Sequence, residues 1–254
     1  MSAEHAPEWR QTHLPSGTVR YLVAGAGEPL ILLHGLSASV AWWHWNLPAV
    51  AANYRVYAID LFSPDPRALS HFALEETADR LAAWMDVHAI RSANLVGHSM
   101  GGYIAASLAA EHPELVAKLV LVNAATFFPQ EGPKLDPARL IRWLPTFPPL
   151  LAPILLRDAI RAGPVALWEA SRDLLGSDLR PKLELIAAPT LVVWGDQDGL
   201  LPVELAHELH DRVPHSQLRI IEGVGHNPMW EAPEVFNELV LRFLRGEAAA
   251  ADAG

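Results

Sequence analysis

A serine stands between two glycines in the segment Gly97–Gly102, which reads Gly-His-Ser-Met-Gly-Gly. This serine, Ser99, follows a short apolar run and precedes a helical pattern, so we predict a sharp turn between a strand and a helix. Such a turn strains the backbone and exposes the hydroxyl, while Gly97 and Gly101 allow the strand and the helix to approach closely. The pattern therefore predicts that Ser99 is a nucleophile.

A serine hydroxyl is a poor nucleophile unless a base takes its proton. Among the twelve histidines, His226 is the best candidate, because Gly225 and Pro228 place it in a loop after the last predicted strand. The base also needs an acid that fixes its tautomer and stabilises the imidazolium. Asp196 and Asp198 follow an apolar strand, and both are candidates. The chain order Ser, Asp, His is the order found in hydrolases with this serine turn.

The oxyanion of a tetrahedral intermediate needs hydrogen-bond donors. The first predicted donor is the N–H of Met100, at the N-terminus of the helix that follows Ser99. The second is expected from the turn after the strand Leu30–Leu33, where the sequence continues His-Gly-Leu. Gly35 lets the backbone bend toward the serine. We therefore predict the N–H of Leu36 as the second donor.

Short apolar or β-branched runs alternate with helical patterns, which predicts an α/β fold with a mostly parallel central sheet flanked by helices. Several strands are apolar throughout, as expected where helices cover both faces of the sheet. The predicted strands are Thr18–Val23, Leu30–Leu33, Arg55–Asp60, Ala93–Val96, Lys118–Asn123, Thr190–Trp194 and Leu218–Ile221. The predicted helices are Trp42–Ala52, Leu74–His88, Met100–His112, Pro202–Arg212 and Pro233–Leu244.

A segment from residue 126 to residue 187 interrupts this alternation. It holds nine of the 21 prolines, which break helices into short pieces, yet it is apolar and aromatic. We predict that residues 126–187 form a helical lid on the C-terminal edge of the sheet, where open α/β sheets bind ligands. A helical subdomain without a role in substrate binding is the alternative. Residues 1–125 and 188–246 would form the core, and residues 247–254 a flexible tail.

Composition excludes several classes of function. The formal net charge of −10 disfavours a nucleic-acid partner, because such binding needs a basic face. The absence of cysteine excludes disulfides, thiolate metal sites and a cysteine nucleophile. The first ten residues lack the apolar core of a secretory signal, and no run of about 18 apolar residues predicts a membrane span. We expect a soluble, cytoplasmic protein that needs neither a metal nor another cofactor.

Four stretches together resemble the α/β-hydrolase superfamily, and within it the small carboxylesterases. These stretches are His34–Leu36, Val96–Gly102, Trp194–Asp198 and Gly225–Pro228. The resemblance runs from about residue 18 to residue 244, and residues 126–187 are its least matched part. It implies the α/β-hydrolase fold. It also selects Asp198 as the acid, because the family's acid is usually the fourth residue of a Gly-x-x-Asp turn.

The loop after the strand ending at Asp60 departs from the family pattern. Relatives usually carry a glycine-rich turn that ends in serine, whereas Leu61–Ser70 contains Pro64 and Pro66. Proline restricts the backbone where glycine would free it, so this loop must follow a different path. The substrate preference of any one subfamily therefore does not carry over to this chain.

The resemblance and the apolar lid predict a hydrolase for carboxylic esters with short-to-medium, uncharged acyl groups, working as a monomer or a homodimer on a small-molecule ester. A carbon–carbon bond hydrolase of the meta-cleavage type is an alternative, although such relatives often carry an aromatic residue where this chain has Asn227. A ligand receptor with a slow triad is a second alternative. Ser99 argues against haloalkane dehalogenases and epoxide hydrolases, which use an aspartate at this turn.

Overall fold

One eight-stranded sheet organises the computed structural model, which describes residues 6–62, 73–130, 134, 136–138, 141 and 147–247. Its strands are β1 (Glu8–Leu14), β2 (Gly17–Ala24), β3 (Pro29–Leu33), β4 (Arg55–Asp60), β5 (Ala93–His98), β6 (Val116–Val122), β7 (Thr190–Gly195) and β8 (Ser216–Ile221). The α-helices are α1 (Leu47–Ala51), α2 (Leu74–Val87), α3 (Met100–Glu111), α4 (Ala152–Ala162), α5 (Pro164–Gly176), α6 (Arg180–Leu183), α7 (Glu204–Arg212), α8 (Pro228–Glu231) and α9 (Pro233–Leu244). None of the described helices is long and apolar enough to cross a bilayer.

The strand order is β1-β2-β4-β3-β5-β6-β7-β8. β2 pairs antiparallel with β1 and with β4, and every other neighbouring pair is parallel. The prediction of a mostly parallel sheet is therefore confirmed. Because β3, β5, β6, β7 and β8 run in the same direction, the loops that follow them meet at one edge of the sheet.

Helices cover both faces of this sheet, as the apolar strands predict. Along β3, Ile31 and Leu33 pack into one hydrophobic cluster with residues of α2 and α3. The alternate residues Leu30 and Leu32 pack into a second cluster with residues of α1 and α9. The two-residue period of a strand thus sends neighbouring side chains into two cores, which explains why a buried strand is apolar at every position.

Two details of the predicted secondary structure are wrong. β1 was not foreseen, because its sequence Glu-Trp-Arg-Gln-Thr-His-Leu is polar and it lies exposed at the edge of the sheet. The helix predicted over Trp42–Ala52 is divided into a short 3-10 helix at Val40–Trp43 and α1. Pro48 lies in the first turn of α1, where its missing N–H costs no hydrogen bond, and it could not lie inside one continuous helix.

The predictions for the Leu61–Ser70 loop and for the tail concern residues that lie mostly outside the described part of the chain. Between β6 and β7 the structure has the helices α4, α5 and α6, in the region where short helices were predicted. The division of the chain into a core and a lid at residues 126–187 stays a prediction.

Charged contacts connect α4 and α6 to other parts of the molecule. Arg161 of α4 donates two hydrogen bonds to the Asp60 carboxylate at the end of β4, at 2.5 and 2.9 Å. Lys182 of α6 pairs with Glu75 of α2 and Glu111 of α3. The Arg161–Asp60 pair lies at a buried carboxylate. The pairs of Lys182 lie at the surface, where ion pairs contribute little to stability.

Asp60 is an ionised group inside the protein. Burial alone would raise the pKa of its carboxyl, but the contacts with His34 and Arg161 outweigh burial and hold that pKa well below its usual range. A carboxyl whose pKa is lowered by folding stabilises the protein above its unfolded pKa, and this stabilisation is lost as the pH falls toward its folded pKa.

We therefore predict that Asp60→Asn lowers the free energy of unfolding by about 3 kcal/mol at neutral pH, because it leaves the Arg161 guanidinium without its partner. The difference in the free energy of unfolding between the variant and the wild type should become smaller below pH ~4. In that range the wild type loses up to about 1.4 kcal/mol of its free energy of unfolding per pH unit through this one carboxyl. Urea unfolding followed by circular dichroism between pH 7 and pH 3 measures both. If the difference in the free energy of unfolding were constant from pH 7 to pH 3, the lowered pKa of Asp60 would be contradicted.

Candidate active site

Ser99 occupies the predicted sharp turn between β5 and α3. Its φ of 53° and ψ of −117° lie in a region that residues with a side chain rarely adopt. An added Cβ on Gly97 would clash with the carbonyl oxygen of Gly101, and one on Gly101 would clash with the carbonyl oxygen of Leu33. The two glycines thus let the helix start directly against the sheet, with Ser99 at its N-terminus.

Ser99, His226 and Asp198 form a hydrogen-bonded row. Ser99 Oγ lies 3.1 Å from His226 Nε2, and His226 Nδ1 lies 2.7 Å from Asp198 Oδ2. The carboxylate accepts from Nδ1–H, so the lone pair of the imidazole is on Nε2, where it can accept the proton of the serine hydroxyl. Asp196, the other candidate acid, instead accepts hydrogen bonds from the Gly223 N–H and the Gln197 side chain.

The Asp198 carboxylate is held by donors on both oxygens. Oδ1 accepts hydrogen bonds from the N–H groups of Leu200 and Leu201, at 2.7 and 2.9 Å. Oδ2 accepts from the Asn123 side chain at 2.6 Å as well as from His226. Asn123 follows β6 in a left-handed conformation, with a φ of 40°. Asn123 was not predicted from the sequence, although its place at the end of an apolar strand, at the same sheet edge, was a signal.

Glu231 holds the loop that carries His226. Its carboxylate accepts hydrogen bonds from the N–H groups of Gly225 and Asn227, at 2.6 and 2.9 Å, so the backbone is held at the residue on each side of the histidine. Burial raises the pKa of Glu231, and these two N–H groups oppose that rise. Glu231 was not predicted from the sequence either, since a glutamate near the start of a helix is common and does not by itself indicate a role in an active site.

His98 supports the same loop from the other side. Its Nε2–H donates to the carbonyl oxygen of His226 at 2.9 Å, and its ring stacks on Trp42. Burial and the neighbouring His226 lower the pKa of His98 well below its usual range, so His98 is neutral. This supports the structural role that its position beside Ser99 suggests.

The two predicted oxyanion donors lie next to Ser99. Met100 follows it at the first position of α3. The turn after β3 also passes close by, since a Cβ added to Gly35 would lie 3.2 Å from the Cβ of Ser99. Leu36 lines the same cavity as Ser99. The structure therefore brings Leu36, Met100, Ser99, His226 and Asp198 into one region.

A cavity of about 310 Å³ opens onto Ser99 and His226. Most of its lining is apolar, and part of it comes from residues between β6 and β7, namely Phe128, Phe147, Leu155, Leu174 and Leu175. Among the described residues that line it, there is no lysine or arginine. The cavity can therefore hold an uncharged hydrophobic group beside the serine.

Residues 30–239 match the model of a family described as the α/β hydrolase family. This chain belongs to the α/β hydrolase family. Its sheet and the Ser-Asp-His row are the arrangement expected of an α/β hydrolase with a serine turn. The chain is therefore a hydrolase.

Curated relatives of this α/β hydrolase differ in the substrates that their names give. It is 30% identical to a 2-hydroxy-6-oxononadienedioate/2-hydroxy-6-oxononatrienedioate hydrolase of Paraburkholderia xenovorans, over 89% of this chain and 90% of that protein. It is 31% identical to a pimeloyl-[acyl-carrier protein] methyl ester esterase of Aeromonas hydrophila, over 87% and 96% of the two chains. A solved structure of a membrane phospholipase A, 28% identical, superposes with a TM-score of 0.81 over 94% of this chain and 86% of that one.

Asn123→Gly tests the row of side chains, because glycine tolerates the positive φ while removing the hydrogen bond to Asp198. We expect kcat of the hydrolytic reaction to fall about 10-fold with little change in KM, since a hydrogen bond to a charged group is lost. Steady-state kinetics measure this, with the exposed Asn53→Gly as the matched control. An unchanged kcat in folded protein would show that Asn123 does not position Asp198.

Proposed function

We propose that this α/β hydrolase cleaves carboxylic esters through an acyl-enzyme on Ser99. The single observation that carries the proposal is the row Ser99–His226–Asp198 opening onto an apolar cavity. A hydroxyl hydrogen-bonded to an imidazole, which is itself oriented by a buried carboxylate, is the arrangement that activates serine for attack on a carbonyl carbon.

The proposed reaction proceeds in two halves. Ser99 Oγ attacks the ester carbonyl while His226 Nε2 takes the hydroxyl proton, and the N–H groups of Leu36 and Met100 stabilise the oxyanion. The intermediate collapses, His226 returns the proton to the leaving alcohol, and the acyl group stays on Ser99. Water then gives a proton to His226 as its oxygen attacks the acyl-enzyme, and His226 returns that proton to Ser99 Oγ as the carboxylic acid is released. The reaction as proposed needs no metal or other cofactor.

The cavity supports a short-to-medium, uncharged acyl group. Its volume of about 310 Å³ suits a chain of a few carbons better than a long lipid tail. Phe128 and Leu174 offer apolar contact, and each buried methylene contributes about 0.8 kcal/mol to binding. We therefore expect activity to rise with acyl length until the cavity is full and then to fall.

A carbon–carbon bond hydrolase of the meta-cleavage type is the second candidate, because the Paraburkholderia relative is named as a hydrolase of 2-hydroxy-6-oxo compounds. The named substrates of that relative are dioates, which carry two carboxylates. The described lining of this cavity offers no cation for such a group. Burying an unpaired carboxylate is costly. The apolar lining thus favours an uncharged ester, as does the named methyl ester substrate of the Aeromonas relative.

The proposal is tested with p-nitrophenyl esters of increasing acyl length. We expect many turnovers per protein, a maximum at short-to-medium acyl groups and a loss of at least about 10³-fold in kcat for Ser99→Ala. Ser107→Ala is the matched control, because Ser107 is a buried serine of α3 whose hydroxyl has no hydrogen-bond partner among the residues that the structure describes. Methyl hexanoate and the monomethyl ester of hexanedioic acid, compared as a pair, should differ at least 10-fold in kcat/KM in favour of the uncharged ester.

Other outcomes would contradict the proposal. Turnover of a meta-cleavage type 2-hydroxy-6-oxo-dienoate without turnover of any ester would support the carbon–carbon bond hydrolase. One covalent event on Ser99 followed by stalling would support a ligand receptor. Equal activity of Ser99→Ala and the wild type would exclude Ser99 as the nucleophile.

A further inference from the structure

A second cavity, of about 520 Å³, lies apart from the cavity at Ser99. The two cavities share none of their described lining residues. Strands β1 and β2, the 3-10 helix Val40–Trp43, α1 and α4 contribute to the walls of the second one. Its volume lies in the range of cavities that bind small molecules.

Strand register brings Trp9, Arg20 and Leu22 together in this second cavity. Trp9 pairs with Leu22 across β1 and β2, so their side chains lie on the same face of the sheet, and Arg20 shares that face because it lies two residues before Leu22. The guanidinium carbon of Arg20 lies 4.2 Å from the centre of the Trp9 ring. Such stacking covers one face of the planar guanidinium, and the N–H donors at its edge stay available for an anion.

The arginines of the second cavity carry one charge more than the carboxylates that pair with them. Arg161 pairs with Asp60, and Arg157 pairs with Asp158. Arg20 has no carboxylate partner in the described part of the chain. Nη1 of Arg157 also has no hydrogen-bond partner there, since Nε and Nη2 make its contacts. In a protein with a formal net charge of −10, this is a local excess of positive charge that one anionic group would balance.

Helix α4 directs its charged side chains toward this cavity. Arg157, Asp158 and Arg161 line the cavity, whereas Leu156 and Ile160 of the same helix are exposed to solvent. A surface helix ordinarily turns its apolar residues inward and its charged residues outward. The reversed arrangement in α4 supports a cavity that is built for a charged ligand.

The remaining walls of the second cavity indicate what the anionic group is attached to. Leu22, Val40, Ala41, Leu47 and Pro48 line it beside the arginines. An inorganic anion would leave these apolar walls without contact, and a plain hydrocarbon would leave the charge of Arg20 unbalanced. Arginine binds a carboxylate through two parallel N–H···O hydrogen bonds. The lining therefore fits a carboxylate that carries an apolar chain.

We propose that the second cavity is a binding site for a monocarboxylate with a medium-length alkyl chain, whose carboxylate is held by Arg20 and Arg157. The proposal does not depend on the reaction at Ser99. A ligand in this site would contact the two elements that also shape the active-site cavity, because Trp42 of the 3-10 helix and Leu155 of α4 line that cavity.

Isothermal titration calorimetry of the whole chain with octanoate tests the proposal. Octanamide is the ligand control without the charge, and acetate is the control without the chain. Arg20→Gln removes the charge that has no partner, and Ala41→Phe fills the cavity without changing any charge. Arg91→Gln is the matched control variant, because Arg91 is an exposed arginine just before β5 that lines neither cavity. Circular dichroism checks that each variant is folded.

We expect octanoate to bind the wild type with a Kd below about 1 mM, and octanamide and acetate to bind at least about 10-fold more weakly. Arg20→Gln and Ala41→Phe should each weaken octanoate binding at least about 10-fold, whereas Arg91→Gln should match the wild type. If Ala41→Phe does not fold, Arg20→Gln decides the question.

Three results would overturn the proposal. The first is no binding of octanoate by the wild type up to about 10 mM. The second is unchanged octanoate binding in folded Arg20→Gln and Ala41→Phe, which would place the ligand elsewhere, the cavity at Ser99 included. The third is equal binding of octanoate and octanamide. Failure of the proposed ester hydrolysis is a separate result, because these titrations measure binding and need no turnover.

Discussion

The close approach of α3 to the sheet is the constraint on which the active site depends. An added Cβ on Gly102 would lie only 2.5 Å from the Cβ of Ala124, and Gly97 and Gly101 are in similarly tight contact with the backbone. Because the helix can begin directly at the end of β5, Ser99 takes up a strained conformation that the packing around it enforces. Ser99 is thus held in place by contacts that leave no room for side chains at the three glycines.

The other members of the site follow from strand order. β7 and β8 run parallel to β5, so Asp198 and His226, in the loops after them, lie at the same edge as Ser99. An added Cβ on Gly195 would clash with the carbonyl oxygen of Gly225, so the backbone at the end of β7 is in direct contact with the loop that follows β8. Short hydrogen bonds then fix each side chain. Three loops from distant parts of the sequence therefore form one rigid arrangement.

The sequence was informative where a function has a local signature and uninformative where it depends on distant pairs. The turn around Ser99 and the apolar parallel strands are encoded within a few neighbouring residues, and they were predicted. Asn123 binds Asp198 across 75 positions of sequence, and His34 accepts from Leu61 across 27. Such partners are ordinary polar residues until the fold brings them together. The edge strand β1 was missed for the opposite reason, since its exposure removes the hydrophobic pattern that reveals a strand.

Detection of the acyl-enzyme tests the central claim most directly. The wild type is mixed with p-nitrophenyl butanoate, quenched with acid during turnover, digested and analysed by mass spectrometry. The account predicts a butanoyl group on the peptide that contains Ser99, formed with a burst of p-nitrophenol and absent in Ser99→Ala. Turnover without any adduct, even when hydrolysis of the acyl-enzyme is slowed by low temperature, or an adduct on another residue, would contradict it.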